Sequence, residues 1–263
     1  MAMDTLLEPS VRRVHRMDRL PTWRSVGYTF NISVRFLASW AAGNGTVERA
    51  DQLLRWYWRK ILLSGDCALY AAGRHHFTPG AAHVVMSNHS SLLDIPAILG
   101  AVPGSVRMVT KEELFRVPVW GRALHGSGFI PLDRKNRRKA ILQLERAQTT
   151  LRSGVNVWIS PEGTRSRDGR LGPFKKAGFH TAMALGVPII PAWIEGASGI
   201  IPPDQWKVRY GGRITVSFGP PVQTAHHARE DLAPLMGQVR AAILKLAGTR
   251  AAEVDAPGHA LLR

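Results

Sequence analysis

From about residue 80 the sequence alternates short apolar runs with stretches of helical period, and this alternation constrains the fold more than any other feature. Strand candidates are residues 82–87 (AHVVMS), 106–110 (VRMVT), 128–132 (GFIPL), 155–159 (VNVWI), 187–194 and 214–218. Helical stretches at 92–99, 112–124, 135–151 and 174–185 lie between most of them, and a last one spans 231–246. Runs this apolar suit strands buried on both faces, and alternation with helices suits crossover connections. The expected fold class is therefore α/β, a mixed, largely parallel sheet flanked by helices. No internal repeat is visible.

The first 65 residues have a different texture, aromatic and basic, with no clear strand. Apolar residues recur at helical spacing through 24–40 and 47–63, and Gly43-Asn44-Gly45 supplies a turn between the two stretches. In the second stretch Leu53, Leu54, Tyr57, Ile61 and Leu62 share a side, with Arg49, Arg55, Arg59 and Lys60 among or opposite them. This is an N-terminal amphipathic helical hairpin. Its mixture of Trp40, Trp56 and Trp58 with arginines fits helices lying in a membrane interface, and equally a hairpin packed on the main domain. The expected division is 1–65 for the basic hairpin, 66–248 for the α/β domain and 249–263 for a loose tail.

With 35 Lys and Arg against 19 Asp and Glu the formal net charge is +16. Nucleic acid, an anionic membrane or phosphorylated substrates would each be drawn to such a chain. One cysteine, Cys67, excludes an internal disulfide framework and a cysteine-cluster zinc site. The opening residues interleave charge and build no apolar signal core, so an intracellular location is expected. The uncharged window 177–194 contains Gly186, Pro188 and Pro191, which divide it into a helix end and a strand, so no transmembrane span is expected.

Three strand ends carry groups able to do chemistry. Asn88-His89-Ser90-Ser91-Leu92-Leu93-Asp94 follows the first strong strand and opens a helix, with Ser90 and Ser91 as candidate caps. There Asp94 could orient the His89 imidazole while its other nitrogen takes a proton from a hydroxyl. Ten His and ten Asp in 263 residues give about 0.4 such spacings by chance, and a second pair, His226 and Asp231, reads as surface. Gly128-Phe129-Ile130-Pro131-Leu132-Asp133-Arg134 and Ser160-Pro161-Glu162-Gly163-Thr164-Arg165-Ser166 put arginines, a hydroxyl and a close-approach glycine at two further strand ends, where ligand sites of α/β folds gather. Taken singly, each loop reads as one held by its own salt bridge, Asp133 with a lysine or Glu162 with Arg165.

Taken in order, these segments resemble the PlsC-type glycerolipid acyltransferases, the 1-acylglycerol-3-phosphate O-acyltransferases. NHSSLLD is similar to the family's first block, GFIPLDR to the second, PEGTRS to the third and Val187-Pro188-Ile189-Ile190-Pro191 to the fourth. The resemblance covers about 80–220 and includes Lys111-Glu112-Glu113-Leu114-Phe115. It implies His89 as general base with Asp94 as its partner. It also implies a phosphate site made by Arg134 with Glu162, Gly163, Thr164 and Arg165, helped by Lys111. Pro188 and Pro191 would shape an acyl pocket or only the strand. The implied reaction moves an acyl group from a thioester to the sn-2 hydroxyl of 1-acylglycerol-3-phosphate, giving phosphatidic acid. It implies no metal and no cofactor, with acyl-CoA or an acyl carrier protein as co-substrate. No Ser or Cys stands in a nucleophile-elbow context, so direct attack is expected.

The implied partners are an anionic phospholipid surface, lysophosphatidic acid and the acyl donor, and not nucleic acid. The implied place is the cytoplasmic face of the membrane, held peripherally. The run Arg134-Lys135-Asn136-Arg137-Arg138-Lys139 fits a funnel for anionic lipid or an acidic carrier, and equally a solvated helix start. Glycerol-3-phosphate or a lyso-ornithine-type lipid is the alternative acceptor. The alternative of another class is a basic nucleic-acid-binding protein, which would leave the ordered blocks unexplained.

Overall fold

The computed structural model describes residues 3–9, 17–18, 20–133, 143, 149, 151–203, 205, 208–225 and 232–248. Arg134, the basic run after it, the expected helix at 135–151 apart from its last residue and the isolated 143 and 149, the His226 and Asp231 pair and the tail 249–263 lie outside these residues.

The strands are β1 (Met3–Leu7), β2 (Met17–Asp18), β3 (Cys67–Ala72), β4 (Val84–Ser87), β5 (Val106–Lys111), β6 (Ile130–Leu132), β7 (Asn156–Ile159), β8 (Ile189–Glu195), β9 (Val208–Arg209) and β10 (Gly212–Phe218). The helices are α1 (Leu20–Ala41), α2 (Val47–Ser64), α3 (Asp94–Ala101), α4 (Trp120–Gly126), α5 (Ala177–Leu185), α6 (Ala197–Ile200) and α7 (Ala233–Ala247). Eight strands form one sheet in the order β1-β3-β10-β8-β4-β7-β5-β6, and β2 pairs with β9. From β8 across to β6 every pairing is parallel. β10 runs antiparallel to β8 and parallel to β3, and β1 closes that edge antiparallel to β3. The fold is therefore the mixed, mostly parallel α/β architecture that the alternation predicts.

Side-chain alternation along the strands splits the core in two. Val85, Ile190, Ile214 and Val216 face Trp58 and Ile61 of α2 and Ala97 and Ile98 of α3. Val84, Met86, Val157 and Ile189 face Phe179 of α5 and Leu235, Val239 and Ile243 of α7. Pro191 sits inside β8, where a missing donor is costly. Its carbonyl accepts from Gly219 N (2.8 Å), so the proline nitrogen faces that same side, beyond the last β10 partner, Ala192 opposite Phe218.

Three sequence expectations need correction. Met3–Leu7 is a strand in the main sheet, although its mixed polarity shows no β pattern; it lies at an edge, where one-sided burial weakens that pattern. Residues 112–124 are not one helix: Glu112–Arg116 is a 3₁₀ turn, and α4 restarts at Trp120. Between them Pro118 cannot continue the ladder, and Val119 takes φ 67° and ψ −60° in a γ-turn closed by Trp120 N to Pro118 O (2.7 Å). Ser90 does not cap α3 with its side chain, and the cap position is Leu93, whose N–H donates to Ser91 Oγ (3.2 Å) just ahead of the helix.

The hairpin is present as α1 and α2, and Thr46 caps α2 by accepting from Arg49 N (3.2 Å). It is tied to the sheet by a buried ion pair. Arg107 of β5, 2 % exposed, donates from Nη1 to Asp51 Oδ1 of α2 at 2.7 Å. The same guanidinium donates to the carbonyls of Val106 and Ser127, and Ser105 Oγ donates to the second Asp51 oxygen. Removing one member leaves a buried charge without its counter-ion. Asp51→Ala is expected to lower unfolding free energy by about 3 kcal/mol or more in urea titration; a loss under about 0.5 kcal/mol would show that the pair does not anchor the hairpin.

Candidate active site

The parallel register brings the C-terminal ends of β8, β4, β7, β5 and β6 to one rim of the sheet. Ser87 lies opposite Ala192, Met86 opposite Ile159, and Lys111 opposite Leu132. The loops carrying His89, Lys111 and Glu162–Arg165 thus leave the sheet side by side, as does Asp133.

His89 Nδ1 lies 2.7 Å from Asp94 Oδ2, and Asp94 is fully buried. The same oxygen accepts backbone N–H groups from Ser90 (2.7 Å) and Ser91 (2.8 Å), so the turn 89–94 is wrapped around one carboxylate oxygen. Ser91 Oγ accepts from Leu93 N (3.2 Å) and donates to Ile201 O (2.9 Å). The ring nitrogen facing Asp94 is a donor when the carboxylate is ionised, which leaves Nε2 as the acceptor on a side chain 15 % exposed.

A second set of contacts fixes the start of this turn. Asn88 donates from Nδ2 to Ile194 O (2.9 Å) and accepts at Oδ1 from Ile194 N (2.8 Å), extending the β4–β8 pairing by one side-chain rung. Trp158 of β7 donates to Ser87 Oγ (2.9 Å) and sets its ring edge-on to His89 at 5.5 Å. Sequence reasoning singled out neither Asn88 nor Trp158. Asn88 stands in the quoted NHSSLLD segment, the one signal available; Trp158 reads as an ordinary strand residue.

Glu162 is buried and does not pair with Arg165. Its Oε1 accepts from His89 N (3.3 Å) and its Oε2 from Gly172 N (2.8 Å), while Ser166 N donates to His89 O (2.7 Å). Burial pushes the Glu162 carboxyl up from its ordinary range, against those two N–H donors and the nearby His89 and Arg240. Gly163 has φ +74°, a conformation that favours glycine, and turns the chain toward the exposed Thr164 and the half-buried Arg165. Arg165 has no ion-pair partner among the described residues. Lys111 is exposed at the end of β5. Pro188 precedes β8, its carbonyl accepting from Val84 N (3.1 Å), and Pro191 lies inside that strand.

Residues 69–195 match the Acyltransferase family model. Over that stretch the chain is similar to an acyltransferase-family domain. It is 36% identical over 175 residues to 1-acyl-sn-glycerol-3-phosphate acyltransferase alpha of Mus musculus, covering 66% of this chain and 61% of that protein. It is 30% identical over 159 residues to the 1-acyl-sn-glycerol-3-phosphate acyltransferase of Salmonella typhimurium, covering 60% and 64%. The chain thus spans about three-fifths of the length of these relatives. The crystal structure of PlsC, the 1-acyl-sn-glycerophosphate acyltransferase of Thermotoga maritima, superposes with a TM-score of 0.65 over 88% of this chain and 98% of that one, at 23% identity. That likeness shows the fold alone.

The raised Glu162 carboxyl has a stability consequence. The folded state keeps this proton to higher pH than the unfolded chain, so the group's contribution is full below about pH 4.3 and declines as pH rises through the folded value. The stability difference between parent and Glu162→Gln should therefore shift against the parent as pH rises from about 4 to 7, read from denaturant midpoints. A difference independent of pH would show that the carboxyl is not raised.

Proposed function

We propose that this chain is a peripheral membrane acyltransferase that moves a fatty acyl group from a thioester to the sn-2 hydroxyl of 1-acylglycerol-3-phosphate, releasing phosphatidic acid and a thiol. The observation that carries the reading is the His89–Asp94 contact at 2.7 Å on the strand-end rim that also bears Lys111 and Arg165. The names of the relatives supply the acceptor, and acyl-CoA and acyl carrier protein present the same thioester.

In this reading Nε2 of His89 takes the acceptor's hydroxyl proton as its oxygen attacks the thioester carbonyl. The carbon–sulfur bond of the tetrahedral intermediate then breaks, and the imidazolium returns the proton to the departing thiolate. Asp94 holds Nδ1–H and stabilises the imidazolium. An alcohol and a thioester need a base here, so the scheme uses no metal and no resident cofactor. Arg165, with Gly163, Thr164, Lys111 and Arg134, serves the acceptor's phosphate. The buried Glu162 contributes by holding the His89 and Gly172 amides.

The N-terminal hairpin suits a lipid substrate. Trp23, Val26, Phe30 and Val34 recur at helical spacing along α1, Trp40 lies near its end, and all five are 43–71% exposed, while Phe36 of the same helix is buried. The exposed Arg24 and Arg35 flank this stripe. An amphipathic helix of this kind lies in the headgroup region with its arginines on anionic lipid. Among the described residues no helix is long and apolar enough to cross a membrane. The reading places the protein on the cytoplasmic face and gives it no nucleic-acid partner.

The deciding assay is thiol release from palmitoyl-CoA by purified protein in detergent, with and without lysophosphatidic acid. Release should require the lysolipid, and His89→Ala should cut kcat by roughly 100- to 10,000-fold. Arg165→Ala should instead chiefly raise KM for lysophosphatidic acid. No release with this donor, with acyl carrier protein thioesters or with the alternative acceptors would sink the reading. For the membrane face, Trp23→Ser with Phe30→Ser should weaken co-sedimentation with phosphatidylglycerol-containing vesicles about tenfold or more. Unchanged partitioning would remove α1 from the docking surface.

A further inference from the structure

We infer that Arg240, in the middle of α7, is a positioning residue for this site: its guanidinium fixes the loop 161–175 that carries Glu162 and Arg165, and through that loop the backbone of His89. The inference rests on the acyltransferase reading for its kinetic consequence, though not for its geometry.

The loop is closed at its base by Lys175 N donating to Pro161 O (2.7 Å). Inside it, Gly172 N donates to Glu162 Oε2 (2.8 Å), and the loop grips His89 twice, at its amide through Glu162 Oε1 (3.3 Å) and at its carbonyl through Ser166 N (2.7 Å). From the other side Arg240 donates from Nη1 to Gly172 O (2.8 Å) and from Nη2 to Leu171 O (2.8 Å). Gly172 is thus held through its N–H by Glu162 and through its C=O by Arg240, and a continuous set of hydrogen bonds runs from α7 to His89. Two successive carbonyls met by one planar fork is a geometry that lysine cannot reproduce.

The guanidinium is not a packed core element. It lies 5.5 Å from the Phe174 ring, and it lines a cavity of about 410 Å³ with Leu171, Pro173, Phe174, Met236 and Gly237. The two carbonyls and the ring hold it against the loop, and its displacement would free Leu171 and Gly172. The positive charge also favours the ionised form of Glu162, which must accept at both oxygens. Arg240 falls outside the stretch matched by the family model, residues 69–195.

The test compares the parent with Arg240→Met, Arg240→Lys and Gly172→Ala, whose new Cβ would sit 3.1 Å from Glu162 Oε2. Kinetics use palmitoyl-CoA and lysophosphatidic acid in detergent. Amide exchange followed by mass spectrometry uses the same proteins without substrate. Both Arg240 variants should raise KM for lysophosphatidic acid roughly fivefold or more, with KM for palmitoyl-CoA within about twofold of the parent. Exchange should quicken in peptides covering 160–175 and 87–91 and stay parental elsewhere, and Gly172→Ala should repeat the pattern. Parental exchange in the loop, restoration of all constants by lysine, or quickened exchange over the whole chain would each overturn the positioning role. If the parent transfers no acyl group, the function reading fails and the exchange result alone decides Arg240.

Discussion

A carboxylate with no exposed surface calls for donors, and the path of the chain between β4 and α3 gathers them on Oδ2 of Asp94, while Oδ1 is buried with no hydrogen-bond partner among the described residues. One oxygen collects the His89 ring and two successive backbone amides, so the turn has little freedom left. Asn88 adds a rung to the sheet just before it, and the Trp158 indole holds Ser87 from the neighbouring strand. The orientation of the imidazole is therefore a property of the sheet edge as a whole, since its partners come from β4, β7, β8 and α3. Such supports let a ring keep one tautomer and one direction without being buried itself.

The molecule uses its charges unevenly. Among the described residues Arg107 and Arg240 are committed to inside contacts, the first on a carboxylate and two carbonyls, the second on two carbonyls. The first fastens the hairpin to the sheet, and the second fastens the last helix to the loop beside His89. Elements far apart in sequence thus meet through guanidinium groups, α2 with β5 and α7 with the loop after β7, and the fixed fork specifies distance and direction together.

Much of the fold was legible because the central strands are buried on both sides, and burial writes itself as runs such as HVVM and VNVWI. The edge region was not. CALYAA carries three alanines and MDTLL mixes polarities, so neither registers as a strand without the partners that β10 and β3 provide. The His89 and Asp94 pair could be proposed from spacing and context, and the fold brings the two within hydrogen-bonding distance. Glu162 shows the opposite case: in PEGTRS it reads as a ligand contact, and only burial reveals a side chain occupied by the amides of His89 and Gly172. Arg240 in QVRAAILK looks like a solvated helix residue, because its partners are carbonyls, which leave no trace in sequence.

The strand order has a consequence for how the chain is made. β3 lies between β1 and β10, so the N-terminal ribbon and hairpin are synthesised well before the strand that joins them to the rest of the sheet. A two-stranded ribbon alone is at best marginal in water. During that interval the aromatic stripe of α1 and the inner face of α2 are both uncovered, and the nascent chain is at its stickiest. The order of synthesis therefore leaves these apolar faces waiting for a cover until β10 completes the sheet.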